Sequence, residues 1–423
     1  MRRFLTAIAA LAALVLAGGV PATAAGQQPT VVSADPVDWT PHVLDGTVYA
    51  IAVVGDEVVV GGSFSHVTSA ARSGVLVRHG LFAFRLGTGT VSATFRPAAD
   101  GTVRALAAGP ADSVYVGGEF TNLAGGTRRG VGQLSVATGR PVPAFTAGGV
   151  DGGTVSTLVA AGGWLYVGGS FTGVGGTARP ALARLSGRTG ALDTGFDGQV
   201  ARQRSGRLRL EKLAVSQDGV RLAIIGTFTE VGGRTRDQLA LLSATTGAVS
   251  DWYTDSYSGD CHEGYNTYLR DVDFAPDDRY LVAVTTGHSS GPDVVCDSAT
   301  RFDISGTGFH RPVWVNHTGG HSLFSVAVTG SAVYVGGHEI WLDNPLGDKS
   351  AGPGAVYRPG IGAIDPTTGR ALSWNPTRSR GVGVQTMTTY PAGHSYEGGL
   401  LVGSDTDKLG GEYHARIGAF PQR

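Results

Sequence analysis

The sequence has little charge and almost no sulfur. Charged residues make up 16% of 423, and 33 Lys and Arg offset 34 Asp and Glu, so the formal net charge is −1. A neutral chain lacks the basic surface that nucleic acid requires, and no nucleic-acid partner is expected. Two Cys are too few for a paired-cysteine metal motif. No apolar run after residue 25 reaches the ~18 residues of a membrane span.

Residues 1–25 have the pattern of a secretory signal. Arg2 and Arg3 precede an apolar stretch from Leu5 to Leu16, and Ala22-Thr23-Ala24 forms a small-x-small cleavage site. The alternative is a buried N-terminal helix. We therefore predict a signal peptide over 1–25 and a secreted, extracellular mature chain over 26–423. In an oxidising compartment Cys261 and Cys296 are expected to form a disulfide, the alternative being two buried thiols.

Glycine, in contrast, is abundant: 67 residues, without the three-residue period of collagen. Many belong to a recurring pattern of Val or Ile, Gly, a small polar residue and Phe, whose phenylalanines are Phe64, Phe120, Phe171 and Phe228. Each unit of about 55 residues holds four strand-like segments and almost no helical periodicity. Such units in tandem predict the blades of a β-propeller.

The repeat also predicts the number of blades. Seven copies of the first strand are centred on Val48, Val103, Val155, Leu210, Leu269, Leu323 and Val384. The last copy ends with only three strands, whereas Trp39-Thr40-Pro41 near the other end resembles Trp374-Asn375-Pro376. We predict an all-β fold: a single propeller of seven four-stranded blades, in which residues 31–41 supply the missing strand. Trp39 then completes a set of outer-strand aromatics, Phe95, Phe145, Phe196, Trp252, Trp314 and Trp374.

The third unit, LYVGGSFTGVGGTARPALARLSGRTGALDTGF from Leu165 to Phe196, resembles the delta-sixty repeat β-propeller family of secreted and cell-surface bacterial proteins. The resemblance extends over roughly residues 47–250 and fades in the fifth unit. It implies a propeller and export. It implies no reaction, so no catalytic residue is carried over.

A binding site is expected where the repeats differ. The residue after the apolar anchor of the first strand is polar, charged or aromatic without pattern, which is not typical of a core. These residues are predicted to surround the mouth of the central channel, where one ligand touches several blades. The alternative is a solvated channel without a ligand. The seven residues are Tyr49, Arg104, Ser156, Glu211, Arg270, Phe324 and Gln385.

A second candidate is the long link between the fourth and fifth units, which the disulfide would pin. Aromatic rings there would stack on sugars, and acids would bind Ca²⁺ or sugar hydroxyls; the alternative is a disulfide-tied surface loop. Its candidate residues are Tyr253, Asp255, Tyr257, His262, Glu263 and Tyr265. A calcium site is also conceivable at Asp343, Asn344 and Asp348, and no other cofactor is predicted.

The leading hypothesis is a monomeric, non-enzymatic module that holds a glycan, peptide or protein at the cell surface. The alternative is a carbohydrate-active hydrolase or lyase with two carboxylates about 5–10 Å apart at the channel entrance. Glu211 with Asp271, or Asp255, Asp260 and Glu263, would supply them. Gly287–Gly291 matches the G-x-S-x-G motif of hydrolases but lies in an all-β repeat, where a Ser/Gly loop explains it. Arginines 11 residues before the turn glycine are assigned to the scaffold: Arg78, Arg128, Arg179, Arg236 and Arg358.

Overall fold

The computed structural model describes residues 27–259, 261, 268–287 and 291–423. Within these ranges the chain is all-β and contains no helix. No helical segment in them is therefore long and apolar enough to cross a bilayer. The predicted signal peptide lies outside the described residues.

Seven antiparallel sheets follow one another along the described chain, and in each the strands pair in sequence order. We number these sheets one to seven. Their strands are Val48–Val54, Glu57–Gly62 and Leu81–Arg85; Val103–Gly109, Ser113–Gly118 and Val131–Ser135; Val155–Ala161, Trp164–Gly169 and Leu182–Ser186; Leu210–Val215, Arg221–Gly226 and Leu239–Ser243; Leu269–Phe274, Tyr280–Thr285, Ser298–Asp303 and Trp314–His317; Leu323–Val328, Val333–Gly337 and Ile361–Ile364; and Thr386–Tyr390, Gly399–Gly403 and Ile417–Pro421.

Short strands lie between the second and third strands of most sheets or link one sheet to the next. They pair with each other in small antiparallel ribbons rather than with the seven sheets. These strands are His42–Val43, His66–Thr68, Leu76–Val77, Asn122–Leu123, Gly126–Thr127, Val150–Asp151, Gly173–Val174, Thr177–Ala178, Val200–Gln203, Phe228–Val231, Arg234–Thr235, Trp341–Leu342, Val356–Tyr357, Lys408–Leu409 and Glu412–Tyr413.

The prediction of four strands per unit is correct only for sheet five, where Trp314–His317 pairs with Ser298–Asp303. In five other sheets the segment after the turn glycine, which we call the outer segment, forms one isolated bridge. Its chain bends away within a few residues because the following aromatic enters the apolar space beside the next sheet. Phe95, for example, is fully buried against residues of sheets one and two. The bridges are Phe84↔Val91, Leu134↔Pro141, Leu185↔Leu192, Leu242↔Val249 and Ile364↔Ala371.

The paired glycines at the end of the second strand allow two close approaches. A Cβ on Gly61 would lie 2.6 Å from the side chain of Val103 in the next sheet. A Cβ on Gly62 would lie 2.0 Å from the carbonyl oxygen of Thr47, just before the first strand of the same sheet. Any larger residue would force the strands apart. The pair is therefore explained by sheet-to-sheet packing and not by ligand binding.

The repeated arginines donate to backbone carbonyls, as predicted, and four of the five also reach the outer segment, whereas Arg128 bonds the carbonyl of Thr127 alone among the described residues. Arg236 is buried, and its Nη1 donates to the carbonyl of Thr235, 2.7 Å away, in the ribbon that precedes the third strand. Its Nη2 donates to the carbonyl of Ser250, also at 2.7 Å, in the outer segment. Arg78, Arg179 and Arg358 make the same pair of contacts. The arginine thus connects the outer segment to the ribbon. The sequence alone did not indicate this connection.

The predicted disulfide is present. Cys261 and Cys296 are bonded, with Cα atoms 5.6 Å apart and a sequence separation of 35. The bond joins the link before sheet five to the segment between that sheet's second and third strands. Most of the link, residues 260 and 262–267, lies outside the described residues.

Candidate functional site

Six of the seven predicted channel residues occupy a β-bulge. In sheets one to six the register between the first and second strands shifts over the first three residues, as between Val48 and Ala50 or between Val103 and Ala105. The unpaired middle residue of each bulge is the predicted channel residue, here Tyr49 or Arg104. Because a bulge leaves one residue outside the ladder, its side chain is freed from the sheet's in-and-out alternation.

The structure brings all seven predicted residues to one cavity of about 520 Å³. Each is half-buried, with part of its side chain open to the cavity. We call this cavity the channel mouth. Sheets one to six each contribute their bulged residue, and Gln385 lies one residue before the first strand of sheet seven. The seven residues are Tyr49, Arg104, Ser156, Glu211, Arg270, Phe324 and Gln385.

Four charged residues of the channel mouth were missed in the sequence: Glu119, Arg207, Arg209 and Lys212. Glu119 was open to detection, because it occupies the position of Ser63 and Ser170 in the neighbouring units. Lys212 follows the bulge directly and is paired with Ile225, as the equivalent residues of the other sheets are paired. Its place in the ladder gave no indication that its side chain would line a cavity.

Charged side chains make contacts within and between units around the channel mouth. The guanidinium of Arg104 lies 4.2 Å from the centre of the Tyr49 ring, and its Nε donates to Glu119 over 2.9 Å. On sheet four the Nε of Arg209 donates to Glu211 over 2.6 Å. Such contacts hold long side chains in one arrangement. Across the whole lining five residues are basic, Arg104, Arg207, Arg209, Lys212 and Arg270, and two are acidic.

Glu211 and Asp271, one pair of carboxylates proposed for a hydrolase, line different cavities. Glu211 lines the channel mouth, whereas Asp271 lines a separate cavity of about 330 Å³. Asp271 is nearly buried and accepts hydrogen bonds from the backbone N–H of Val272, at 2.9 Å, and of Val326, at 3.1 Å. Burial raises its pKa, and Lys212 opposes that shift. Asp271 is therefore part of the connection between sheets five and six.

The link between sheets four and five is only partly described. Tyr257 is fully buried, with its ring 5.9 Å from that of Phe302, so it does not present a stacking surface to a ligand. Burial also raises the pKa of its hydroxyl well above the usual range. Tyr253 is half-exposed beside Phe309, and Asp255 is exposed. The other candidates, Asp260, His262, Glu263 and Tyr265, lie outside the described residues.

The oxygen atoms considered for calcium make structural hydrogen bonds. Asp343 accepts from the side-chain amide of Asn316 over 2.6 Å and from the backbone of Ala371 over 3.1 Å. Asn344 is buried, and its Oδ1 accepts from the backbone of Gly352 over 2.8 Å. In the described part of the chain no group of three or more His, Cys, Asp or Glu is placed to hold a metal ion. The Gly287–Gly291 motif is described only at its two ends.

Comparisons with known proteins concern the fold. The chain matches no curated protein. Among solved structures it is similar to the WD40 beta propeller domain of Doa1, with 10% sequence identity and a TM-score of 0.47 over 94% of this chain and 97% of that one. Residues 163–196, most of the third unit, match a family described as "Domain of unknown function (DUF5122) beta-propeller". The described chain is thus all-β, and its third unit is similar to a β-propeller domain whose function is unknown.

Proposed function

We propose that the seven sheets are the blades of one closed propeller. In the described residues, apolar clusters join each sheet to the next, from one to two through to six and seven. A further cluster joins sheet seven to sheet one and includes Tyr390, Ile417, Val48 and Phe84. The backbone N–H of Val48 also donates to the carbonyl of Ser404 over 3.0 Å. A ring of contacts without a gap is what a closed propeller requires.

The N-terminal segment supports this closure. Val37 donates its backbone N–H to Ala419, the third residue of the third strand of sheet seven, over 2.9 Å. Ser92 makes the same bond to Ala83 in sheet one, and Leu372 to Ala363 in sheet six. Residues 31–41 therefore occupy the position of an outer segment. Trp39 packs 6.3 Å from Phe84, between sheets seven and one.

We propose that the mature chain is a secreted, monomeric binding or scaffold module whose ligand enters the channel mouth. The observation that supports this function is the meeting of seven side chains of six different types, from seven repeats, in one cavity of about 520 Å³. That volume is typical of ligand sites. Scaffold positions repeat from unit to unit, whereas these positions vary, and six of the seven lie on bulges.

The lining favours a ligand with negative charge and some apolar surface. Five basic and two acidic residues give it a positive balance. Tyr49 and Phe324 add aromatic surface from two sheets. An acidic glycan or an acidic peptide segment of a surface protein has this chemistry.

The test is a binding screen of purified residues 26–423 against a glycan array, isolated cell-wall polysaccharides and acidic peptides, with Ca²⁺ and with chelator. We expect an anionic hit whose affinity falls at least tenfold in Arg104→Ala and in Phe324→Ala. Arg279→Ala, a highly exposed arginine, is the matched control and should leave binding unchanged. A hit that all variants bind equally would place the site elsewhere. Slow degradation of a bound glycan would favour the hydrolase.

A further inference from the structure

One repeat position changes its chemistry completely in sheet six. Just after the second strand, sheets one to four carry a buried phenylalanine whose carbonyl accepts a backbone hydrogen bond from the start of the third strand, as Phe64 does from Gly80 over 2.9 Å. In sheet six the equivalent bond runs from Gly360 to the carbonyl of Glu339, at 2.7 Å. Glu339 therefore replaces the phenylalanine, and only 1% of it is exposed.

Among the described residues, neither Oε1 nor Oε2 of Glu339 accepts a hydrogen bond of good geometry, although both are buried. The nearby backbone N–H groups of Glu339 and Gly337 and the Arg378 guanidinium only partly offset the effect of burial on its pKa. Burial raises the pKa of Glu339 to about 8, so the group carries a proton near neutral pH. A buried polar group without a partner is costly, and native proteins rarely keep one without a reason.

A second departure from the repeat lies on the facing wall. Arg378 bridges Leu409 in the ribbon of the seventh unit just as Ala99 bridges Leu123 in the ribbon of the second, so the two residues occupy the same position. The Arg378 side chain is 2% exposed, and its terminal nitrogens donate to the carbonyl of Gly337, at 2.8 Å, and to Oγ1 of Thr406, at 3.1 Å. Its Nη1 also lies 3.8 Å from a carboxylate oxygen of Asp405. Its Nε has no partner. The acid and the guanidinium thus appear together in one crevice and in neighbouring units.

We call this space the 6–7 crevice. It has a volume of about 460 Å³, and Lys349, Arg380, His321 and Tyr357 also line it. The equivalent space between sheets one and two, the 1–2 crevice, is about 300 Å³ and is lined by Phe64 and Ala99. The 6–7 crevice has three basic residues in its lining and a single acid, Glu339. Nδ1 of His321 is a further buried nitrogen without a partner in the described chain.

We propose that the 6–7 crevice binds a small hydroxylated carboxylate with the chemistry of a uronic acid. The carboxylate of the ligand is attracted by Arg378, Arg380 and Lys349. A ring or hydroxyl oxygen accepts the proton of the Glu339 carboxyl, which gives that buried group its missing partner. Tyr357 and the His321 imidazole supply faces for the sugar ring. This site is separate from the channel mouth and does not depend on the function proposed for it.

Isothermal titration of residues 26–423 with glucuronate at pH 6.5 tests the proposal, with glucose and inorganic phosphate as comparison ligands. We expect glucuronate to bind, and glucose and phosphate to bind at least tenfold more weakly. Arg378→Lys keeps the positive charge but removes the planar guanidinium with its paired donors, and should weaken glucuronate binding several-fold.

The decisive variant is Glu339→Phe with Arg378→Ala, which rebuilds the residue pair of the 1–2 crevice and is therefore expected to fold. It should abolish glucuronate binding, whereas Ala99→Ser in the 1–2 crevice should leave it unchanged. Arg279→Ala, a highly exposed arginine that lines neither cavity, should also leave it unchanged. The proposal is overturned if the native chain does not bind glucuronate, if glucose or phosphate binds as well, or if the double variant binds as the native chain does.

Discussion

Residues at equivalent positions of the repeats can share the same backbone hydrogen bond and still have side chains of opposite chemistry. Phe64 and Glu339 share a backbone position and a hydrogen bond, yet one buries a ring and the other a carboxyl. The ring stabilises its sheet by apolar burial, whereas the buried carboxyl opposes folding unless it stays protonated or finds a partner. The pKa of Glu339, raised by burial from 4.5 to about 8, expresses that cost.

The Glu339 carboxyl should make stability depend on pH. Between pH 4.5 and about 8 the folded chain holds a proton that the unfolded chain has released, so the free energy of unfolding falls as pH rises through this window. Glu339→Gln removes that loss. We expect the variant to be more stable than the native chain at pH 8.5, by at most about 4–5 kcal/mol, and similar to it at pH 4.5. Urea unfolding at both pH values measures this, and an equal difference at both would contradict it.

At the scale of the elements, the first strand of a sheet combines two tasks. Its ladder residues pack against the neighbouring sheets, and its bulged residue enters the channel mouth. The outer segment has weaker backbone pairing, a single bridge in most sheets. Its position therefore depends on side chains, namely the buried aromatic and the arginine that bonds its carbonyl.

The arginine tie can be tested in sheet four. Arg236→Ala removes charge-assisted hydrogen bonds to the carbonyls of Thr235 and Ser250, and should lower the free energy of unfolding by about 3 kcal/mol. Arg236→Lys should be intermediate, because an ammonium cannot span both carbonyls. Arg279→Ala, an exposed arginine, should change stability by less than about 0.5 kcal/mol. If the Arg236 and Arg279 variants melted alike, the tie would have no structural role. Thermal melting by circular dichroism is the measurement.

Sequence periodicity predicted the elements well where the backbone pairs regularly. Six of the seven predicted strand centres begin a first strand, and Val384 lies two residues before the seventh. The outer segments were predicted as strands because each unit contains four strand-like segments in its sequence. Their bend toward the next sheet depends on packing with another unit, which a local pattern does not contain. Glu339 and Arg378 were not identified in the sequence for the same reason. Each differs from its repeat at a single position, and only the folded structure shows that the two residues line one crevice.

On the scale of the whole molecule, equivalent backbone positions of successive units bring different side chains to one cavity, the channel mouth. The channel residues were predictable because every unit places the same position at the channel, so variation at that position was visible in the sequence. Their contacts were not predictable, since Arg104 donates to Glu119 of its own unit and lies over the ring of Tyr49 from the preceding unit. The repeat thus predicts where a site lies, and the folded structure determines which charges meet there.

Removal of residues 26–42 tests the closed ring. The deletion takes away Val37 and Trp39 and leaves the Ile417–Pro421 strand of sheet seven unpaired on one side. An exposed strand edge invites pairing between chains, so we expect a lower melting temperature and aggregation in size-exclusion chromatography. Arg279→Ala, a highly exposed arginine between the first two strands of sheet five, is the control and should have little effect. An unchanged melting curve after the deletion would mean that the N-terminal segment does not close the propeller.

The hydrogen bond from Val37 to Ala419 has a consequence for the order of events during synthesis. The segment that contains Val37 is synthesised more than 380 residues before the strand that contains Ala419. Until that strand emerges, the N-terminal segment lacks its partner for this bond and remains available to other chains. Contacts this distant in sequence slow folding. A nascent chain that ends just before residue 419 would therefore carry nearly all of the sheets described above and still lack the partner of its N-terminal segment.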